Sequence, residues 1–193
     1  MTNRRTVLVS GFALVLSGNT LFAKDLPRDP NWAVPITLAG VPNLNQVGPN
    51  IFRSAQPTPD GFKALESKLG IKTVLSLRNF HSDLPLLSGT TLDLKSVPMD
   101  PLYITTDEVT KALSILVAES KLHPVLVHCQ HGSDRTGVVM AMYRVVVQGW
   151  DKDKAIAEME NGGFGFHAIF FNIPNFVKNA DIAKYRQVLA ISP

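Results

Sequence analysis

The stretch VLVHCQHGSDRT, residues 125–136, contains Cys129, the only cysteine among the 193 residues of the chain. An apolar run leads into a short polar loop, and Arg135 ends that loop six residues after the cysteine. Residues 136–148 are apolar nearly all round, which is typical of a central buried helix. A buried strand that passes through a tight loop into such a helix predicts an α/β fold, with Cys129 at the carboxyl end of the strand.

The loop between strand and helix has the composition of an oxyanion site. A Cys-x5-Arg loop can curl so that successive backbone N–H groups point at one centre, where the helix N-terminus also favours negative charge. Arg135 adds a guanidinium fork that matches two oxygens of a phosphate. Gly132 suits a backbone position with positive φ or a close approach to the ligand. The same field favours a thiolate on Cys129, which can attack phosphorus in line.

Two residues that flank the Cys-x5-Arg loop are predicted to assist the cysteine. Thr136 could donate its hydroxyl to the sulfur and make the sulfur a better leaving group in a second step. Neighbouring strand residues point to opposite faces of a sheet, so His128 and Cys129 cannot both face a substrate. His128 is therefore predicted to support the loop through its ring nitrogens.

This segment resembles the signature loop of cysteine-dependent phosphatases, and the chain from about Ile51 onward resembles the bacterial dual-specificity-like tyrosine phosphatases. The stretches FRSAQP at 52–57 and GGFGFH at 162–167 are also similar to that group. The resemblance implies a protein-tyrosine-phosphatase-like fold and hydrolysis of phosphomonoesters through a phosphocysteine intermediate. It also implies that no metal or other cofactor is needed, because loop amides and arginine act where kinases use Mg²⁺.

The resemblance further implies a role for each loop residue. Cys129 is the nucleophile and Arg135 holds the phosphate. The backbone amides of the loop form the phosphate cradle, and they belong to Gln130, His131, Gly132, Ser133, Asp134 and Arg135.

Two aspartates are candidates for the general acid that protonates the leaving oxygen. Asp100 lies 29 residues before Cys129, as in family members whose acid is on a separate upstream loop, although Asp-Pro is also a common turn former. Asp134 lies within the loop, where myotubularin-type lipid phosphatases and some secreted bacterial phosphatases carry the acid. Asp134 could instead stabilise the loop. We favour Asp134 and keep Asp100 as the alternative.

The remaining sequence predicts a single domain with a central, mainly parallel sheet flanked by helices. Strands are predicted at 71–77, 92–97 and 124–128, and helices at 58–70, from 106, at 136–148 and from 151. Residues 24–50 contain five prolines and are predicted as an extended segment ahead of a phosphatase domain at 51–193.

Four residues outside the loop allow two interpretations each. Arg53 and Gln56 could contact substrate or tie down the turn in which they lie. Phe164 and Phe166 could line the active-site cleft or fill the domain interior, and we favour the interior because phenylalanine is among the most buried residue types.

Residues 1–23 have the organisation of a secretory signal peptide. Arg4 and Arg5 precede an apolar run, and Ala23 offers a small residue for cleavage. The run is short and interrupted for a spanning helix, so we predict cleavage, with a retained anchor as the alternative. The paired arginines keep twin-arginine export open beside the general secretory route. We expect a periplasmic or secreted protein with no stable membrane association after cleavage.

Composition argues against several other classes of protein. The net charge of +3 falls to +1 without residues 1–23, and no basic run with interleaved aromatics predicts nucleic-acid binding. His128, Cys129 and His131 are crowded together, but structural zinc sites usually pair two such clusters, so no metal site is predicted. The hydrophobic content of 45% suffices for one core without disulfides. We expect a monomer.

The expected partner is a phosphorylated substrate, either a phosphotyrosine or dual-specificity protein substrate or an inositol phosphate or phosphoinositide. Two other functions stay open. A pseudophosphatase would bind phosphorylated ligands without turnover. A thiol sulfur-transfer protein also places a cysteine before a helix, although such chemistry usually uses a resolving cysteine.

Overall fold

A computed structural model describes residues 28–191, and the predicted signal peptide at 1–23 lies outside the described residues. Within that part of the chain, six strands form one sheet: β1 (Val34–Pro35), β2 (Asn45–Gly48), β3 (Ile51–Ser54), β4 (Thr73–Arg78), β5 (Asp93–Met99) and β6 (Val125–His128). Their spatial order is β1-β2-β3-β6-β4-β5. The pairs β3–β6, β6–β4 and β4–β5 are parallel, and β1–β2 and β2–β3 are antiparallel. The predicted mainly parallel sheet is confirmed.

The helices of the same range flank the sheet on both faces. They are α1 (Pro59–Leu69), α2 (Thr106–Ser120), α3 (Asp134–Val146), α4 (Lys152–Asn161), α5 (Asn172–Asn179) and α6 (Ile182–Val188), with a 3-10 turn at Leu84–Leu87. Thr58 caps α1 by accepting a hydrogen bond from Gly61 N, and Thr105 and Glu108 form a capping box at α2. None of the helices described is long and apolar enough to cross a membrane.

Helix α3 begins at Asp134, two residues before the start predicted at 136. The prediction relied on the apolar run, whereas the helical backbone extends into the polar loop. Asp134 and Arg135 therefore belong to the first turn of α3, where free backbone N–H groups point towards the loop.

The two faces of the sheet pack into separate cores. Helices α2 to α6 cover one face, and α1 with the 3-10 turn covers the other. Along β6, Val127 and Cys129 face the α3 side, while Leu126 faces the α1 side. The His128 ring lies on the α1 side, 6.1 Å from the Phe62 ring between centroids. Cys129 and His128 thus point to opposite faces, as the strand period predicted.

Residues 28–50, which belong to the predicted lead-in segment, contribute β1 and β2 to the sheet, so the sheet begins before residue 51. Pro35 is compatible with strand structure because β1 is an edge strand, where a missing N–H breaks no ladder bond. This segment is held in place by a buried ion pair between two residues that lie far from it in sequence. Arg144 donates two hydrogen bonds of 2.7 Å to Glu158, and Glu158 accepts another from Ala33 N.

Candidate active site

Cys129 lies directly after β6, at the edge of the sheet where the parallel strands end, and only 1% of it is exposed. In open α/β sheets the cleft outside the carboxyl ends of the strands is where ligands bind. The backbone N–H of Gly132 donates to Cys129 Sγ over 3.3 Å. At least one amide of the predicted cradle therefore already points at the sulfur.

Gly132 is required at its position for two independent reasons. Its φ of +74° lies in the left-handed region, which side chains disfavour. A Cβ there would also lie 2.5 to 2.6 Å from backbone atoms of Ser54 and Ala55, at the end of β3. The loop is thus pressed against the neighbouring strand, and the glycine makes that approach possible.

We expect Gly132→Ala to lower kcat/KM by about 100-fold or more, since a displacement of about 1 Å at a reactive group can cost that much. Gly149→Ala is the matched control. Its φ of +71° is nearly the same, but a Cβ there meets no atom within 4 Å. Backbone strain should lower the unfolding free energy of both variants by about 1 kcal/mol, and the clash with Ser54 and Ala55 should lower that of Gly132→Ala further. Equal activity of the two variants would show that close packing of the loop is unimportant.

Arg53, in strand β3, connects the loop to the sheet through a hydrogen bond. Its side chain is 1% exposed, and Nη2 donates to the carbonyl of Gly132 over 2.6 Å. Its guanidinium lies 3.6 Å from the centroid of the Phe164 ring, itself buried. Burial lowers the pKa of Arg53 to about 10, against the opposing charges of Glu158 and Cys129. Of the two interpretations of Arg53, these contacts favour support of the loop, and Phe164 fills the interior.

A buried polar chain supports the loop on the α1 side. His128 Nε2 lies 2.9 Å from Asp83 Oδ2, at an angle outside that of a linear hydrogen bond. Gln56 donates to Asp83 Oδ1 over 2.7 Å and accepts from Arg78 over 2.7 Å. Burial by itself raises the pKa of Asp83, but the neighbouring His128, together with Ser76 and Gln56, brings it well below the ordinary value. His128 and Gln56 therefore hold the site in place.

Sequence reasoning missed Asp83, because nothing in its neighbourhood marks it as different from an ordinary loop aspartate. Only the tertiary structure places it behind His128. The residues that bury this carboxylate lie far from it in sequence, so no local sequence pattern indicates its role.

Two guanidinium groups reach the cleft. Arg135 is half-buried, with Nη1 3.2 Å from Asn79 Oδ1 and 3.5 Å from the carbonyl oxygen of Met99. Arg78 ends β4, the strand next to β6, and burial lowers its pKa. Arg78 pairs with Met99 in the sheet, and the Met99 carbonyl contacts Arg135, so both arginines lie at the same edge of the sheet. Arg78 is a second functional candidate that the sequence alone did not indicate.

The two general-acid candidates have different surroundings. Asp134 is 5% exposed, and both of its oxygens are engaged by His167: Oδ1 accepts from the backbone N–H over 3.0 Å, and Oδ2 lies 2.9 Å from Nδ1. Asp100 follows β5 and is half-buried. Its Oδ1 accepts from Leu102 N over 2.9 Å, and no hydrogen bond engages its Oδ2 within residues 28–191.

The other residues of the loop region divide into buried and exposed members. Ser133 is buried and donates to Asp134 over 3.3 Å, while Gln130 and His131 are exposed at the rim. Thr136 is buried in the first turn of α3, and its hydroxyl has no partner among the described residues. The predicted hydrogen bond from this hydroxyl to Cys129 Sγ is therefore not formed in this structure, and the role of Thr136 stays a prediction.

The chain is similar in sequence to known phosphatases over most of its length. A sequence model of the family described as "Tyrosine phosphatase family" matches residues 41–181. The dual specificity protein phosphatase TpbA of Pseudomonas aeruginosa (strain UCBPP-PA14) is 36% identical over 188 residues, which cover 96% of this chain and 84% of TpbA. The inositol diphosphatase DSP3 of Arabidopsis thaliana is 29% identical over 161 residues, 79% of this chain and 76% of DSP3.

Two solved structures are similar to the whole fold. The crystal structure of a cysteine-to-serine variant of P. aeruginosa TpbA in complex with pTyr has a TM-score of 0.76 and 35% identity, and the match covers 86% of this chain and 99% of that one. The catalytic core of Siw14 has a TM-score of 0.69 at 24% identity, covering 81% and 95% of the two chains, which shows a shared fold. The predicted protein-tyrosine-phosphatase-like fold is confirmed.

Proposed function

The chain belongs to the tyrosine phosphatase family of cysteine-dependent, dual-specificity-like phosphatases, and from this premise we propose that it hydrolyses phosphate monoesters through a phosphocysteine on Cys129. The observation that carries the proposal is the Gly132 N–H that donates to Cys129 Sγ at the N-terminus of α3. Backbone donors and a helix N-terminus stabilise both a thiolate and the oxygens of a bound phosphate.

The reaction has two steps. In the first, Cys129 Sγ attacks phosphorus, the bond to the ester oxygen breaks, and that oxygen takes a proton from an acid. Arg135 and the loop amides hold the phosphoryl oxygens, on which negative charge is spread in the transition state. In the second step, water attacks the phosphocysteine, and the conjugate base takes its proton. The sulfur leaves with a hydrogen bond from Thr136.

We assign the general acid to Asp100 rather than to Asp134, which the sequence favoured. Both oxygens of Asp134 are held by His167, so this carboxylate is suited to fixing the loop. Asp100 directly follows Met99, whose carbonyl lies 3.5 Å from Arg135 Nη1. Asp100 thus directly follows a residue that contacts the phosphate-binding guanidinium, and one of its carboxylate oxygens has no hydrogen bond within the described range.

Asp100→Asn and Asp134→Asn test this assignment on two substrates. We expect Asp100→Asn to lose about 10²- to 10³-fold in kcat on an alkyl phosphate, because a poor leaving group needs its proton. It should lose little on an aryl phosphate whose leaving group needs none. Asp134→Asn should lose similar amounts on both substrates. The opposite pattern would move the acid to Asp134, and no contrast in either variant would exclude both aspartates.

We further propose a phosphorylated protein, with phosphotyrosine as the first candidate residue, as the substrate. The 36% identity with a dual specificity protein phosphatase and the similarity to a structure with pTyr support this choice. An inositol phosphate is the second candidate. Arg78 supports it, because β4 pairs Arg78 with Met99, whose carbonyl contacts Arg135, and a second guanidinium at this edge of the sheet can bind another phosphate group of the same molecule. Several relatives are also named inositol diphosphatases.

Phosphate release by the purified protein, with EDTA present and Cys129→Ser as the blank, tests the proposed function. The substrates are a phosphotyrosine peptide, a phosphoserine peptide, inositol hexakisphosphate and a phosphoinositide. Release that depends on Cys129 supports the enzyme, and the preferred substrate separates the two candidates. Phosphate binding without any release would indicate a pseudophosphatase. A persulfide on Cys129 after treatment with a sulfur donor would instead support sulfur transfer.

Export is a separate proposal that rests on residues 1–23. We propose that the protein acts as a monomer in the periplasm or outside the cell, after removal of this segment. The basic start, the apolar run and Ala23 support it. Cell fractionation with N-terminal sequencing of the mature protein would show the site of cleavage or a retained anchor.

A further inference from the structure

Three side chains that ligate metals converge at the rim of the loop. His131 lies in the loop, Asp134 in the first turn of α3, and His167 ahead of α5, and one ligand atom of each lies within 4.8 Å of the others. Across residues 28–191 this is the one group of three or more His, Cys, Asp or Glu side chains so arranged. Both histidines are exposed and the aspartate is buried, so the group is open to ions from solvent.

The three side chains are oriented in the absence of an ion. The backbone N–H of His167 holds Asp134 Oδ1, which directs Oδ2 to within 2.9 Å of His167 Nδ1. The rings of His131 and His167 lie 5.3 Å apart between centroids. The backbone N–H of His167 is therefore a partner that holds a ligating carboxylate in position, and such partners contribute much of the affinity of metal sites.

The backbones that carry these side chains are also joined. Asn43 Nδ2 donates to the carbonyl of His131 and to the carbonyl of Phe164, each over 2.9 Å. One amide group thus connects the loop to residues 162–167. Asn43 itself has a φ of +54°, an uncommon conformation for a residue with a side chain. Asparagine is one of the few residue types that adopt this conformation readily, so Asn43 suits the point that joins the two ligand-bearing segments.

We propose that His131, Asp134 and His167 bind a divalent transition-metal ion, with Zn²⁺ as the best match, and that the bound ion inhibits the enzyme. Two imidazole nitrogens and one carboxylate oxygen suit zinc, which takes three such protein ligands and leaves a fourth position to water. On binding, His167 Nδ1 gives up its contact with Asp134, and both groups turn their lone pairs to the ion. The imidazole proton then resides on Nε2.

Inhibition follows from the position of the ligands, and this part of the inference rests on the proposed function. Ligand atoms around one tetrahedral zinc ion lie about 2.0–2.2 Å from it and hence about 3.4 Å from one another. In the free site the three atoms lie within 4.8 Å of one another, and Asp134 Oδ2 is 2.9 Å from His167 Nδ1, so binding rearranges the group. Drawing His131 and Asp134 towards one ion moves the backbone between them. That backbone contains Gly132, whose N–H donates to Cys129 Sγ.

Calorimetric titration of tag-free Cys129→Ser protein with ZnCl₂ tests the site without the catalytic thiol. We expect one ion per chain. Adding His167→Gln or His131→Gln should weaken binding by at least about tenfold, whereas adding His123→Gln should leave it unchanged. His123 is a fair control because it pairs with Glu119, at the end of α2.

Two results would overturn the proposal. If wild-type protein binds zinc and Cys129→Ser does not, the ion sits on the thiolate. If neither His167→Gln nor His131→Gln weakens binding, the ion sits elsewhere. Enzyme activity is a separate measurement. Zinc should inhibit phosphate release by the wild type, and EDTA should restore it. The His167→Gln variant should need about tenfold more zinc for the same inhibition. If the chain releases no phosphate at all, the proposed function fails while the calorimetry still decides the site.

Discussion

Cys129→Ser should lower phosphate release by about 10⁴-fold or more, to near the background rate, which is the scale seen when the nucleophile of a catalytic unit is removed. A serine hydroxyl is not ionised at neutral pH, and within the described residues no general base stands at the sulfur to activate it, since the nearby His128 faces the other side of the sheet. The loss should appear in kcat on every substrate.

Binding separates a lost nucleophile from a lost site. The cradle consists of backbone groups and Arg135, and of these the Gly132 N–H bonds to the replaced sulfur, where a serine oxygen can also accept. Serine is slightly smaller than cysteine in a position that is 1% exposed. Calorimetry should therefore show inorganic phosphate binding within a few-fold of the wild type. Substantial turnover by the serine variant would exclude a phosphocysteine mechanism. Loss of both turnover and binding would mean that the loop itself had changed shape.

Arg135→Lys should lower kcat/KM by about 10³-fold, equivalent to about 4 kcal/mol of transition-state stabilisation. The lysine keeps the charge but is a single point, whereas the planar guanidinium can hold two phosphoryl oxygens at once. The guanidinium is also oriented by Asn79 Oδ1 and by the carbonyl of Met99. Both contacts use Nη1 alone, which leaves Nη2 and Nε for the phosphate, whereas a lysine would have to divide one nitrogen between these partners and the phosphate.

Arg186→Lys provides the matched control for this substitution. Arg186 donates to the carbonyls of Val145 and Val146, at the far end of the same helix α3. The Arg186→Lys substitution should slightly lower the free energy of unfolding and leave kcat/KM unchanged. The steady-state rate of phosphate release, measured on one aryl and one alkyl phosphate, would compare the two variants. Equal losses of kcat/KM in the two variants would mean that Arg135→Lys acts by disturbing helix α3 and not by weakening contacts with the phosphate.

The signature loop is recognisable in the amino-acid sequence because its requirements are local. A nucleophile after a buried strand, an arginine at a fixed spacing and a glycine with positive φ lie within seven successive residues, 129–135. The caps at Thr58 and Thr105 are equally local, because each hydroxyl binds the backbone N–H three residues further along the chain. The predicted start of α3 is too late, because hydrophobic periodicity reports the buried face of a helix and not its polar first turn.

Other parts of the site depend on pairs that lie far apart along the chain. Asp83 stands behind His128, Arg53 lies between Gly132 and Phe164, and Arg144 pairs with Glu158. Each of these charged groups is buried, and burial of a charge is tolerated only with a partner at hand. The sequence contains the residue types but does not say which of them will meet.

The amino-acid sequence by itself determined the class of fold and predicted the nucleophile, the phosphate-binding arginine and the loop that joins them, since all of these follow from the order of residues along one strand, one turn and one helix. Tertiary structure decided how the loop is held and which neighbours surround each carboxylate. His167 engages Asp134 only because the segment after α4 returns to the N-terminus of α3. Contacts of this kind depend on how the whole sheet and its helices pack, so no short stretch of sequence can specify them.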